Sequence, residues 1–164
     1  MTSSCCGPSS DAPERAVCPE DGSTGDPVKR LTVAAQMRGP VPPRQEFWLC
    51  RSPDCSVVYF GSEGTTITTD QVHEIPGFKA AGRDLACYCF VYRESEIAEE
   101  VRSSGTSSMV ASVEDQVRAG NCACEVRNPS GKCCLKDLKA LEVELSTGAA
   151  IASSLDRRNS DGSR

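Results

Sequence analysis

Three short cysteine-containing segments decide the fold of this chain: CYC at residues 87–89, CAC at residues 122–124 and NPSGKCC at residues 128–134. They hold six of its eleven cysteines. The residues between the first and second segments follow the pattern of two short amphipathic helices, which would fold the cysteines back onto one another. The sequence therefore predicts that thiols distant along the chain converge on one site.

The cysteine count and the N-terminus indicate how these thiols are used. The first residues have neither the basic region nor the apolar region of a secretory signal, which predicts a cytoplasmic protein whose thiols stay reduced. Eleven is an odd number, so disulfides within one chain cannot pair every cysteine. Clustered cysteines in a reducing compartment favour metal binding. We interpret residues 87–134 as a metallocluster site and predict a [2Fe–2S] cluster there.

Composition excludes several other functions for the 164-residue chain. A net charge of −5 and a pI near 5.0 argue against nucleic acid as the main partner, since phosphate binding needs a basic patch. No apolar run is long enough to span a bilayer. Aromatic residues make up only 5% of the chain, so we expect a small core that benefits from bound metal.

Two helices are predicted between the first two cysteine segments. The first begins at a Ser95 cap and ends near Gly105, and the second begins at Ser107 or Ser108 and ends at Gly120. Their apolar residues recur at helical spacing, which indicates a core-facing stripe. These residues are Ile97 and Val101 in the first helix, and Val110, Val113 and Val117 in the second.

A third helix is predicted from Lys132 to Glu144, with Ser130 as its cap and three leucines (Leu135, Leu138 and Leu141) on its buried side. This places Cys133 and Cys134 in its first turn, where the helix dipole favours an anionic thiolate centre. We also expect the backbone amides of Ser130 and Gly131 to donate hydrogen bonds to the cluster.

A second group of cysteines predicts a zinc site in the first half of the chain. Cys18 opens the tight turn CPEDG, and two β-rich segments flank a turn that brings Cys50 and Cys55 together. A structural zinc site needs four ligands, and three thiolates are present. The alternative is that Cys50 and Cys55 are simply buried apolar residues. The candidates for the fourth ligand are Asp21, three residues after Cys18, and the thiolates of Cys5 and Cys6.

The remaining pattern predicts an α+β fold in two small subdomains. Further strands are expected within residues 28–37, centred on Leu31, Thr32 and Val33, and over residues 65–69. His73, the only histidine, is expected to be solvated in a connecting segment. We predict a disordered tail at 1–17, a zinc-binding β subdomain at 18–85, a helical [2Fe–2S] subdomain at 86–145 and a disordered tail at 146–164.

The sequence resembles the N-terminal metal-binding region of CopZ-type copper chaperones. The motifs that carry the resemblance are CPE at 18–20 before LTV at 31–33, the stretch from Cys50 through CSVVYF at 55–60, CYC at 87–89, and Cys124 followed by NPSGKCC. The second half also resembles bacterioferritin-associated ferredoxin, a small helical [2Fe–2S] module.

The resemblance implies which residues hold each metal. The cluster ligands would be Cys87, Cys89, Cys124 and Cys134, with Cys133 and Cys122 as alternatives. The zinc ligands would be Cys18, Cys50 and Cys55, and the family often has cysteine where this chain has Asp21. Complete chaperones of this type continue into a heavy-metal-associated domain with its own C-x-x-C copper site. No segment after Glu144 has that pattern, so we expect the domain to be absent.

These observations predict a one-electron redox partner in the handling of copper or another soft metal. The cofactors would be a [2Fe–2S] cluster and Zn²⁺, with Cu⁺ bound transiently at Cys5 and Cys6. Partners would be soft-metal transport or chaperone proteins, or redox proteins. The alternative is an adaptor whose metals only stabilise an interaction surface. An enzyme is not expected, because the sequence has no Ser/His/Asp set, Cys/His pair or phosphate-binding loop.

Overall fold

The structure, a computed structural model, describes the backbone of residues 16–160 and the side chains of residues 16–148. Most of the predicted N-terminal tail therefore lies outside the described residues. Cys5 and Cys6 lie there too, so their suggested roles in binding zinc or copper stay predictions.

The first half of the chain is built on a four-stranded antiparallel sheet with strand order β1-β2-β3-β4. The strands are Gly25–Val28, Phe47–Cys50, Val57–Gly61 and Thr66–Thr68. The predicted hairpin around residues 51–54 is confirmed as β2 and β3, with Trp48 opposite Phe60. The strand predicted within residues 65–69 is confirmed as β4.

The strand predicted around residues 31–33 is wrong, because this segment forms helix α1, Arg30–Gln36. The buried side chains of α1 lie on one face of the helix and belong to Thr32, Val33 and Gln36. Two of the three are β-branched, and β-branched residues favour strands locally, which explains the wrong prediction. The actual strand β1 ends at Val28, before this segment. The tertiary position of α1 against the second half of the chain thus overrides local strand propensity.

The second half contains a small two-stranded sheet and four helices. Strands β5, Leu85–Cys87, and β6, Tyr92–Arg93, pair with each other. Helices α2, Glu94–Ser104, and α3, Ser108–Arg118, confirm the two predicted helices. The first ends as predicted at Gly105, whose φ of +83° is a left-handed conformation that glycine adopts without strain.

The last two helices differ from the prediction at their boundaries. Helix α4 is the short turn Cys124–Arg127, and helix α5 runs from Leu135 to Ser160. Cys133 and Cys134 therefore precede α5 and do not lie in its first turn, as the sequence had suggested. The helix also continues past the tail boundary predicted at residue 146, consistent with the high helix propensity of the alanines at 149, 150 and 152.

The two halves have separate apolar cores that are joined by polar contacts. The sheet and α1 enclose one core, and α2, α3 and α5 enclose another that includes Cys87, Cys124 and Cys134. Across the junction, the Gln36 side-chain amide donates to the backbone oxygens of Val126, at 2.9 Å, and Arg127, at 3.2 Å. The structure confirms the predicted α+β class. Within its described residues, no helix has the length and apolarity needed to cross a membrane.

Candidate metal centres

The structure brings together the four zinc ligands predicted from the first half of the chain. The sulfur atoms of Cys18, Cys50 and Cys55 and a carboxylate oxygen of Asp21 all lie within 4.8 Å of one another. The three cysteines are buried, whereas Asp21 is exposed at the rim. Three thiolates and one carboxylate form a complete four-donor set for zinc.

Two separations within this set are close to those expected around a single tetrahedral ion. The Cys18 and Cys55 sulfurs are 3.9 Å apart, and the Cys50 sulfur lies 4.0 Å from Asp21 Oδ2. Two sulfurs bound to one tetrahedral zinc at about 2.3 Å would be about 3.8 Å apart. The donor atoms therefore fit Zn²⁺ without large rearrangement of the backbone.

Local turns set each donor in place. The Gly22 N–H donates to the carbonyl oxygen of Cys18 at 2.8 Å, closing the turn that carries Cys18 and Asp21. The Ser23 hydroxyl donates to Asp21 Oδ1 at 2.8 Å and also lies 3.4 Å from the Cys50 sulfur. Ser23 thus orients two of the four ligands, a role that the sequence analysis missed.

The electrostatics of the site depend on burial and hydrogen bonding. Burial raises the pKa of Cys18 to about 12 and also raises the pKa of Cys55. At Cys50 burial opposes ionisation, but hydrogen bonds from Ser23 and Ser52 and the nearby charge of Lys79 lower the pKa. Zinc must therefore displace protons from the thiols that are neutral without it.

Asp21 keeps its negative charge for a different reason. The backbone amide of Ser23, and then the Ser23 hydroxyl, donate hydrogen bonds that hold the pKa of Asp21 well below its ordinary value. The carboxylate is therefore already ionised when it meets a cation. This suits Asp21 to the position where related proteins were expected to have a thiolate.

The second centre places four cysteines in two facing pairs. The Cys87 and Cys134 sulfurs are 3.4 Å apart, and the Cys89 and Cys124 sulfurs are 3.5 Å apart. Cys87, Cys124 and Cys134 are buried, and Cys89 is half-buried. The structure thus brings together the four residues that the resemblance implied as cluster ligands.

The arrangement of these two pairs differs from that of the zinc set. Among the described residues, the zinc set is the only group of three or more candidate ligands whose donor atoms all lie within 4.8 Å. The sulfurs of Cys87, Cys89, Cys124 and Cys134 are therefore spread more widely than the donor atoms of the zinc set. Two close pairs match the needs of a [2Fe–2S] cluster, in which each iron takes two of the four thiolates.

The alternative ligands are placed less favourably. Cys133 is exposed and Cys122 is half-buried, as Cys89 is, but among the described residues neither has a facing sulfur like those of the two pairs. The expected donors Ser130 and Gly131 are also occupied, since their N–H groups donate to Asn128 at 2.9 and 2.8 Å. Instead, the N–H of Ala123 donates to the Cys89 sulfur at 3.4 Å.

The two buried thiols of Cys87 and Cys134 have pKa values shifted in opposite directions. The hydrogen bond from the Cys134 thiol lowers the pKa of Cys87 to about 6, and this contact with Cys87 raises the pKa of Cys134. Burial raises the pKa of Cys124 to about 12. One thiolate is thus available at neutral pH before any metal binds, and a metal bound by all four cysteines would have to displace the other protons.

Comparisons with known proteins agree with this geometry. Residues 15–73 match the family model of the CopZ zinc-binding domain. The matched residues include all four members of the zinc set. The chain also resembles the solved N-terminal domain of CopZ from Archaeoglobus fulgidus, with a TM-score of 0.60 and 29% sequence identity. That match covers 77% of this chain and 97% of the solved domain. The chain has a CopZ N-terminal-type region.

The CopZ-type region extends beyond the zinc half, because a match over 77% of the chain reaches into the helical half as well. The copper chaperone CopZ of A. fulgidus is 30% identical over 128 residues, which is 76% of this chain. The chain spans 60% of the length of that relative. The resemblance stated from the motifs is therefore confirmed for the N-terminal region of CopZ.

Proposed function

We propose that the chain is a two-centre metal protein that transfers single electrons in copper handling. Zinc would be held by Cys18, Asp21, Cys50 and Cys55, and a [2Fe–2S] cluster by the two facing cysteine pairs. The observation that carries the proposal is the convergence of those pairs, whose members are 35 and 47 residues apart along the chain.

The zinc set supports a structural role for that ion. All four coordination positions are supplied by side chains, whereas catalytic zinc sites keep one position for water or substrate. Cys18, Cys50 and Cys55 are at most 8% exposed. Zinc at this position would tie the turn at residues 18–22 to the β2–β3 hairpin.

The helical half supports the electron-transfer role. When bound, a [2Fe–2S] cluster accepts and returns one electron, at a potential set by ligands, hydrogen bonds and exposure. Cys89 is the least buried of the four thiols and receives the Ala123 hydrogen bond. This corner of the site therefore gives the shortest path between the ligands and solvent, and the N–H dipole there stabilises added negative charge.

The link to copper comes from chemistry and from the named relative. A. fulgidus CopZ is a copper chaperone by name. One electron from a partner redox protein, passed through this chain, reduces Cu(II) to Cu(I), the form that thiolates prefer. Cu⁺ would then bind transiently at Cys5 and Cys6 before reaching a transport or chaperone protein. We propose a cytoplasmic location, consistent with the free state of all nine described cysteines.

An adaptor role without electron transfer is the second candidate. It is favoured by the hydrogen bonds between the two halves of the chain. Because these bonds connect the halves, metal bound at either centre would stabilise one continuous surface. Anaerobic potentiometry separates the two functions. A reversible one-electron couple supports the redox function. A centre that has no such couple, or that decomposes when it is reduced or oxidised, supports the adaptor role.

The direct test is anaerobic purification followed by metal analysis. We expect brown protein with about two irons, two sulfides and one zinc per chain. Reduced protein should convert Cu(II) to Cu(I) in the presence of a Cu(I)-specific chromophore, one copper per chain. Protein with zinc but without iron after anaerobic reconstitution would contradict the redox function. We propose no enzymatic activity beyond this electron transfer.

A further inference from the structure

Lys79 is the one charged side chain among the buried residues that the structure describes, with an exposed fraction of 3%. Its ammonium group donates to three backbone oxygens: Ser52 at 2.7 Å, Cys55 at 3.1 Å and Val57 at 2.8 Å. These contacts use all three of its donors. The hydrogen bonds of the ammonium group are therefore satisfied, and the Phe78 ring, with its centre 5.9 Å from Lys79 Nζ, is a weak further contact for its charge.

No carboxylate neutralises this buried charge within the described residues. The ion pairs formed there involve other lysines and arginines, and none includes Lys79. Burying an ammonium group without an anionic partner is costly, and lysines are almost never fully buried unless paired. A nearby anionic group would therefore stabilise the charge of Lys79 further.

The carbonyl oxygens that Lys79 contacts belong to the segment that carries Cys55, one member of the zinc set. The three oxygens belong to residues 52–57, which carry Cys55 and follow Cys50 by two residues. The N–H of Ala80 also donates to the Pro53 oxygen at 3.0 Å. Residues 79 and 80 therefore hold the turn that presents two of the thiolates.

The negative charge of the proposed ligand set explains why a charged lysine is buried in this part of the fold. Three thiolates and one carboxylate carry four negative charges, and a divalent ion cancels two of them. We propose that Lys79 is a positioning residue of the zinc site, which holds the Cys50–Cys55 turn and offsets the surplus negative charge of the ligands. This inference rests on the proposed binding of zinc by this set.

Lys79→Met tests the inference because methionine keeps most of the length but removes the charge and the donors. The control is Lys136→Met, at an exposed position in α5. Zinc affinity is measured by competition with a chromophoric chelator. We expect Lys79→Met to bind zinc about 10- to 100-fold more weakly and the control to match the wild type, as for other outer-sphere residues. Equal affinity for both variants would overturn the inference.

A double-mutant cycle separates charge from simple support of the turn. Asp21→Asn removes one negative charge from the ligand set, so the surplus that Lys79 offsets becomes smaller. We expect the loss caused by Lys79→Met to be smaller in the Asp21→Asn background than in the wild type. Equal losses in both backgrounds would overturn the charge role.

A measurement on the wild-type protein covers the case in which Lys79→Met does not fold. Zinc-loaded and chelator-treated proteins are acetylated with an amine-reactive ester and compared by mass spectrometry. We expect Lys79 to be protected with zinc and to react after its removal, while Lys136 reacts in both. Equal protection of Lys79 in the two states would overturn the inference. A wild type that binds no zinc would instead refute the proposed site itself.

Discussion

The hydroxyl group of Tyr59 donates a 2.6 Å hydrogen bond to the carbonyl oxygen of Pro129. Tyr59 lies on β3 in the zinc half and is fully buried, whereas Pro129 lies on the loop before Cys133 and Cys134. Burial raises the pKa of Tyr59, so the hydroxyl remains a donor at all ordinary pH values. This contact connects the strand that follows the Cys50–Cys55 turn to the loop that leads to the second centre.

Tyr59→Phe should therefore destabilise both halves together. It leaves the buried oxygen of Pro129 without its donor, at a cost of about 1–3 kcal/mol in the free energy of unfolding. Denaturant unfolding of the metal-loaded protein measures this cost, with Tyr92→Phe at a half-buried position as the control. The same cost for both variants would show that the Pro129 contact has no special role.

Gly131→Ala should disturb the junction at a second point. Gly131 has a φ of +68°, and a Cβ atom there would lie 2.5 Å from Thr32 Oγ1 on α1. Gly120 has a similar φ of +74° but no atom within 4 Å of an added Cβ, so Gly120→Ala is a matched control. We expect about 1–2 kcal/mol of destabilisation for the control from its left-handed backbone, and more for Gly131→Ala.

Thr32→Ala identifies the source of that difference. Because it removes Oγ1 and Cγ2, the two atoms nearest to a Cβ at residue 131, it should reduce the excess cost of Gly131→Ala. Thermal unfolding of the two single variants and the double variant measures the coupling. If Gly131→Ala still costs more stability than Gly120→Ala after Thr32→Ala, the strain lies elsewhere in the loop.

The cluster ligands can be told apart from the neighbouring cysteines by serine substitution. Cys124→Ser removes one of two facing sulfurs, so we expect loss of the visible colour and of most of the iron. Cys133→Ser changes an exposed thiol that has no such partner among the described residues, and should keep both. Iron content and visible absorption are measured after anaerobic reconstitution. Bleaching by Cys133→Ser alone would reassign the ligand.

The hydrogen bonds that the Glu100 carboxylate accepts form an acid-sensitive contact in the helical half. Its carboxylate accepts hydrogen bonds from the hydroxyl groups of Ser108 and Ser107, which hold its pKa below the ordinary value of 4.5. Because the folded-state pKa is the lower one, its contribution to stability is complete above pH 4.5 and is lost as the pH falls through the folded-state value.

Glu100→Gln should therefore cost stability at neutral pH, and the difference from the wild type should shrink below about pH 4.5. Chemical unfolding at a series of pH values measures this difference, with Glu99→Gln at an exposed neighbouring position as the control. A difference that is constant across the acid range would show that the charge of Glu100 does not stabilise the start of α3.

Local sequence patterns were sufficient where structure depends on near neighbours. The β2–β3 hairpin follows from two β-rich segments around a short turn, and the ends of α2 and α3 follow from Gly105 and Gly120. The α1 segment was misassigned because Thr32 and Val33 favour strands locally. Its helical form depends on contact with residues 126–131, far away in the sequence.

The sequence by itself determined which residues are available to hold metal, because cysteine spacing, charge and turn chemistry are local properties. Only the tertiary structure decided which sulfurs face each other, that Ala123 is the amide donor at Cys89, and that Lys79 is buried against the backbone of residues 52–57. These relationships join residues separated by 20 or more positions. Their geometry is set by how the elements pack, and no local pattern records it.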